Sequence, residues 1–224
     1  MSGVPAFSKV AKENLSDLAY QQMRRALMRS ELAPGEILRL RPLSRHLGIS
    51  ITPIREALIR MVSENALRLD SRGSAVVPML APDELKEIQK LRIALEGGAA
   101  ECAAALITEQ ELHELSDIQD EIKRCHAEHD FGQALILNEE FHFGLVRASR
   151  QPITYQILET LWMRCGPILS HLYDEGDLPW ETHPHDTALE GLRDRDGAKA
   201  RAAMERDIVE GGRRLNEFVE NYSD

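Results

Sequence analysis

At 224 residues with 43% hydrophobic side chains, the chain has the material for one large or two modest packed domains, which excludes wholesale disorder. No apolar run approaches the roughly eighteen residues of a membrane span, the N-terminus lacks the basic and apolar regions of a signal peptide, and Cys102, Cys125 and Cys165 read as free, buried helical thiols of a reducing cytoplasm. The net charge of −10 is unevenly spread: residues 1–80 hold 12 Lys+Arg against 7 Asp+Glu and the remainder 15 against 30, so a basic module suited to nucleic acid precedes an acidic body with another task.

In chain order, residues 1–13 read as an N-terminal extension. Residues 14–31 form an amphipathic helix with Leu15, Leu18, Ala19, Gln22, Ala26 and Leu27 on one side, ended by Pro34-Gly35. Ile37 to Leu40 is extended. Leu43, Leu47, Ile54, Ala57, Leu58 and Met61 then recur at helical steps, predicting two short helices joined by a turn at Gly48, with Ser50 or Thr52 capping the second and Pro53 in its first turn. That spacing is a helix-turn-helix, whose second helix enters the DNA major groove. Two β-prone runs, Leu67–Asp70 and Ala75–Pro78, flank Ser71-Arg72-Gly73-Ser74 and predict a hairpin with Arg72-Gly73 at its tip. The fold class is therefore mostly α, an N-terminal winged helix-turn-helix (14–78) followed after a linker (79–82) by an all-α antiparallel helical bundle (83–222).

Within the bundle, Asp83 caps a helix running to Leu106, and Thr108-Glu-Gln-Glu111 is a capping box for a second ending near His129. A third spans Phe131–Ser149 and a fourth Pro152–Tyr173. Asp174–Pro179 is a loop, and helices over Pro184–Arg193 and Gly197–Tyr222 close the chain.

The run Leu43-Ser-Arg-His-Leu-Gly-Ile-Ser-Ile-Thr-Pro-Ile-Arg-Glu-Ala-Leu58 together with Arg72-Gly73 resembles the winged-helix domain of GntR-type bacterial transcription regulators. Leu91-Arg-Ile-Ala-Leu-Glu96, Phe141-His142, His185 and the stretch from Arg195-Asp196 to Ala203-Met204 resemble the FadR-like (FCD) ligand-binding domain. The resemblance implies a cytoplasmic homodimeric regulator, most often a repressor, that binds a palindromic operator and responds to a small organic acid. Arg55 in the recognition helix suits a bidentate pair with guanine, while Ser50 and Thr52 suit phosphate or base edges. Arg41 matches a DNA-contacting position of the family, and Arg72 with Gly73 suits the minor groove or phosphate. Ile51 stands where the family usually has Arg, so the operator preference is not transferable, and Ile51 suits a thymine methyl instead.

The resemblance further implies a metal centre. Asn138 and His142 share one helix face, and His185 and Asp207 lie on the last two helices; many FCD domains hold Asp, His, His and His at these positions. Two imidazoles, a carboxylate and an amide oxygen would hold Zn²⁺, Ni²⁺ or Mn²⁺, or the imidazoles line a pocket without metal. His183 is an alternative to His185, and His171 approaches the same region. His113, His126 and His129 read as solvated. Arg92, within an apolar stripe, needs an anion: an effector carboxylate or Glu96 one turn on. Rival readings are a metal sensor, an architectural DNA binder without a small-molecule effector, and a helical metalloenzyme. The last rests on Glu139-Glu-Phe-His142, but no second Glu-x-x-His exists to complete a di-iron site, so no catalytic residue is expected, nor an organic cofactor.

Overall fold

The computed structural model describes residues 15–173 and 182–222; the expected N-terminal extension and the Asp174–Pro179 loop lie outside the described residues. Helix α1 (Leu15–Met28) ends before Pro34 because the chain closes on itself: Ser30 takes φ 60°, its N–H reaches Leu27 O (3.2 Å), and Glu31 N–H reaches Ala26 O (2.9 Å). This pair is a Schellman motif, which satisfies the last carbonyls. The buried stripe of α1 is also rotated from expectation. Ala19, Tyr20, Met23, Leu27 and Met28 are buried while Leu15 and Leu18 are 42% and 54% exposed, because α1 packs on the helix Ile51–Ser63 and also on the bundle, against the helix Pro152–Cys165 and the segment Gly166–Tyr173.

Strand β1 (Ile37–Leu38) precedes α2 (Leu40–Leu47) and α3 (Ile51–Ser63), joined at Gly48 with φ 67°. Strands β2 (Arg68–Leu69) and β3 (Ala75–Val76) form the hairpin, and β1 joins it, giving the order β1-β3-β2 with Leu38 and Leu69 both opposite Ala75. Ile54, Ala57, Leu58 and Met61 of α3 close the core beneath α1.

The bundle begins at α4 (Pro82–Leu106) and adds α5 (Glu109–Ala127), α6 (Phe131–Ala148), α7 (Pro152–Cys165), a 3₁₀ segment (Gly166–Tyr173), α8 (Pro184–Arg193) and α9 (Gly197–Tyr222). Helix α4 runs along α9, α5 along α6, and α8 packs on α9. The cap of α4 is Ala81, not Asp83: Pro82 occupies the first turn, where its missing N–H costs nothing, and Glu84 accepts from Ala81 N–H (3.0 Å). Thr108 and Glu111 make the expected reciprocal cap, at 3.2 and 3.0 Å. The fourth bundle helix stops at Cys165 rather than Tyr173. Pro167 lacks an N–H and so cannot donate back to the preceding turn, and the chain tightens to 3₁₀ from Gly166, which keeps helical angles (φ −52°, ψ −43°) where it meets α1.

Candidate functional site

Two sites emerge, one exposed and one buried. In the winged helix, Arg41, Ser50, Thr52, Arg55, Arg72 and Gly73 are all exposed. Ser50 is the N-cap of α3 by its backbone but makes no side-chain cap bond, which keeps its hydroxyl available outward. Ile51 is the first residue of α3, so Arg55 is the fifth and lies one turn further along the same face. The wing tip is held by a residue that sequence reasoning passed over. Asp70 Oδ1 accepts from Arg72 N–H and Ser74 N–H, both at 2.8 Å, and those bonds, Ser74's first, keep its carboxyl below the usual range. Gly73 supplies φ 77° at the tip.

In the bundle, α4, α6, α8 and α9 converge on a buried cluster. His142 Nε2 lies 3.2 Å from Asp207 Oδ2 and 3.3 Å from His185 Nε2, and His185 Nε2 lies 3.8 Å from Asp207 Oδ1. Each imidazole is turned inward by an acceptor behind it. Glu96 Oε2 accepts from His142 Nδ1–H (2.5 Å) and Gln119 Oε1 from His185 Nδ1–H (3.0 Å), which leaves both Nε2 atoms facing the same point. Phe141 stacks on His185 at 3.8 Å between ring centroids and fixes its plane.

Glu96 organises the rest. It accepts from Arg92 Nε (2.6 Å) and Trp162 Nε1 (3.0 Å), and Arg92 lies over the Trp162 ring, 4.2 Å from its centroid. Burial opposes every charge here, yet the partners outweigh it. Arg92 and then His142 pull the Glu96 carboxyl down to about 2, while Glu96 and Asp207 lift His142 to about 9. Asp207 is held below the carboxylate range by its bond to His142, and Glu96 raises Arg92. His185, desolvated and beside His183, is driven well below the usual imidazole value and is neutral. Arg92 and His142 thus balance Glu96 and Asp207 as a buried, electroneutral quartet.

A cavity of about 40 Å³ opens beside this cluster, lined by Arg92, Asn138, His142, Cys165, His183 and Asp207 with apolar walls from α4, the 3₁₀ segment and α9. Asn138, half-buried one turn before His142, faces the same space. The donor set suits a cation. Two ligands about 2.0–2.1 Å from one tetrahedral ion lie roughly 3.3 Å apart, which the His142–Asp207 and His142–His185 separations match.

Of the two anions expected for Arg92, Glu96 takes its Nε, and the guanidinium also lines the cavity. His185, not His183, joins the cluster with His142 and Asp207; His183 lines the cavity and caps α8, with Nδ1 accepting from His185 N–H, and burial brings it down to about 4. His171 stacks on Phe218 at 3.5 Å instead of joining the cluster. His126 is not solvated. It packs among Phe131, Tyr173 and His183, with both ring nitrogens buried.

Comparison with known proteins agrees with this geometry at both ends. Residues 15–77 match the family model for bacterial regulatory proteins of the gntR family, and residues 87–210 match the FCD domain. The chain is 33% identical over 171 residues to the HTH-type transcriptional regulator McbR of Escherichia coli (strain K12), covering 76% of this chain and 77% of that protein. It is 31% identical over 170 residues to the Nta operon transcriptional regulator of Aminobacter aminovorans, covering 75% and 79%. The solved structure of E. coli McbR/YncC superposes with a TM-score of 0.82 at 28% identity, over 95% of this chain and all of that one.

Proposed function

Because the chain belongs to the GntR family of bacterial regulatory proteins and carries an FCD domain, and so is a DNA-binding transcription regulator and not an enzyme, we propose that it is a homodimeric repressor released from a palindromic operator by a small carboxylate. The functional division falls at a winged helix (14–78), a linker (79–82) and an effector-binding and dimerisation bundle (83–222). Arg41, Ser50, Thr52, Arg55, Arg72 and Gly73 form the DNA surface, with α3 in the major groove and the wing on phosphate or the minor groove. Ile51, 36% exposed at the start of α3, reads a thymine methyl.

The dimer face lies on α4 and α7. These two helices run antiparallel, tied at the ends by Arg164 to Glu84 (2.9 Å) and Gln151 to Cys102 (3.2 Å). Between the ties Leu91, Ile153 and Ile157 are 43%, 73% and 46% exposed. Leu91, half-buried Leu95, Gly98 and Cys102 follow a four-three-four spacing, and nothing lies within 4 Å of a Cβ placed on Gly98, so a second helix has room to approach. An apolar stripe of this kind favours a partner surface.

The observation that carries the effector reading is the cavity lined by Arg92, Asn138, His142 and Asp207, with His185 behind it in the same buried cluster. His142, His185 and Asp207, with Asn138, would hold Zn²⁺, Ni²⁺ or Mn²⁺, and such an ion would supply a positive centre for a carboxylate. Arg92 presents a guanidinium for the same group. The small size of the cavity favours a second reading, a metal sensor, since about 40 Å³ takes an ion and a few waters without movement. Thermal unfolding of chelator-stripped protein against a matrix of divalent metals and small acids decides between them. A stabilising shift for an acid only when metal is present supports the carboxylate reading. A shift with metal alone supports the sensor, and no shift with any ion sinks the metal centre.

No helix among the described residues is long and apolar enough to cross a membrane; cytoplasmic residence is part of the proposed reading.

A further inference from the structure

The C-terminal end of α1 and the cavity of the bundle stand on opposite sides of one wall. Arg29 donates through Nε to Glu139 Oε2 (3.0 Å) and through Nη2 to Glu140 Oε1 (3.1 Å). Ser30 Oγ bonds Pro167 O and Ser170 Oγ, each at 3.2 Å. Gly166 sits so close beneath α1 that a Cβ there would lie 2.3 Å from Leu27 O. Three of these five seat residues directly follow a cavity residue in the chain. Glu139 follows Asn138, Gly166 follows Cys165, and Ser170 follows Leu169. Successive helical residues point about 100° apart, so one turn of backbone serves both surfaces. A shift of that backbone on the cavity side therefore moves the seat directly.

The middle of α1 is anchored away from the cavity. Arg24 pairs with Glu159 of α7, and Tyr20 Oη reaches both Glu64 Oε2 (2.5 Å) and Met163 Sδ (3.8 Å). None of these bundle residues lines the cavity. Helix α1 in turn packs on α3, the helix that carries Arg55. Resting on the reading of the cavity as the effector site, we propose that the Asn138–Glu139, Cys165–Gly166 and Leu169–Ser170 wall is the relay between effector and DNA. In it α1 pivots at Tyr20 and Arg24, and Arg29 is the clamp whose seating on Glu139 and Glu140 follows the state of the cavity. Close-packed interiors pass on displacement instead of absorbing it, and the backbone contact at Gly166 leaves no side chain to give way.

Amide hydrogen exchange on the full-length protein tests this with probes on the cavity side alone. Asn138→Ala and, independently, Leu169→Ala are expected to change exchange across residues 25–31 about threefold or more, within the range of modest long-range couplings. In an Arg29→Gln background the same cavity changes should leave residues 25–31 nearly unmoved, while exchange across residues 138–142 still responds. Zn²⁺ added to chelator-stripped protein forms a separate arm, expected to protect residues 138–142 and 25–31 together in the wild type and only the former in Arg29→Gln. The proposal is overturned if residues 25–31 ignore both cavity variants, or respond equally with and without Arg29. Absence of any zinc effect at 138–142, with the cavity variants still felt at 25–31, would remove the metal from the proposed function and leave the relay standing.

Discussion

Arg41, Arg55 and Arg72 stand exposed on a module with excess positive charge, whereas Arg92 is 6% exposed in a body with excess negative charge and bonds Glu96 at 2.6 Å. The difference assigns different jobs to one residue type. An exposed guanidinium is hydrated, so removing it leaves the fold nearly as stable and is felt only when DNA arrives to take its place beside solvent. A buried guanidinium has exchanged its water for Glu96 and Trp162, so removing a partner strands a charge and is felt by the fold first. Charge in the first half is a binding surface; charge in the second is a set of partners that a ligand would have to rearrange.

The largest effect should come from breaking the buried quartet. Glu96→Ala leaves Arg92 and His142 without their shared counter-ion and is expected to cost about 3–5 kcal/mol in urea unfolding. Arg55→Ala, on the exposed surface, should stay within about 0.5 kcal/mol of the wild type in the same assay. A loss below about 1 kcal/mol for Glu96→Ala would mean that the quartet does not hold charge as described.

The same cluster predicts a pH dependence in metal-free protein. The folded value of His142, about 9, lies above its ordinary 6.5, so its contribution is complete below pH 6.5 and is lost as pH climbs through 9. Glu96, held to about 2 from 4.5, contributes fully above pH 4.5 and loses that contribution as pH falls through 2. Below pH 6.5 His183, brought down to about 4, and His185 act the other way, because the unfolded chain takes up protons that these buried neutral rings refuse. The cluster therefore stabilises most near pH 6.5 and weakens toward both 9 and 4, by an amount on the order of a few kcal/mol. Zinc would compete with the proton on His142, so the metal-bound protein should show a much flatter decline. A level unfolding temperature from pH 6.5 to 9 in chelator would show that His142 is neutral at the start.

How much of this was legible in the chain follows the same division. The proposed DNA surface is largely local: Gly48, Ser50, Thr52 and Arg55 lie within eight positions and helical periodicity orders them, while Arg41 was added by the family resemblance. The capping box at Thr108 and the bounds of α8 and α9 are equally local. The bundle site is not. His142, His185 and Asp207 come from three helices and were reached through a family resemblance, and the groups that aim them carry no fixed spacing. Gln119 on α5 and Trp162 on α7 are single polar atoms on otherwise ordinary helices, and only packing brings them to His185 and Glu96. His126 was misread for the same reason, since a polar helix face gives no warning that Phe131, Tyr173 and His183 close over it. The break at Gly166-Pro167 carried a local signal in the proline, but its reason, the backbone of Leu27 overhead, is tertiary.

On the exposed side, Arg55→Ala is expected to weaken specific operator binding by about 1–3 kcal/mol and to relax base preference at one position. Arg41→Ala should instead weaken all sequences alike and shallow the salt dependence by about one phosphate. Titrations of each variant on operator and scrambled DNA at several salt concentrations separate the two. If both variants behave alike, base reading has been assigned to the wrong arginine.

The smallest effect is the most local test of the exposed surface. Ile51 opens α3 with 36% of its surface exposed, in a row of polar and cationic side chains, and water gains nothing from it there. Against DNA its one available favourable contact is apolar, and the major groove offers a single apolar group, the thymine methyl. Burying one such group contributes about 0.8 kcal/mol, or about fourfold in affinity. Replacing each thymine of the operator half-site in turn by deoxyuridine removes that methyl and nothing else. Wild-type protein should lose about fourfold at one thymine, and Ile51→Ala should bind the two operators there equally. If no thymine matters to the wild type, or if the loss persists without the Ile51 side chain, Ile51 remains in solvent in the complex, and the sequence preference of this surface rests on Arg55 and its polar neighbours.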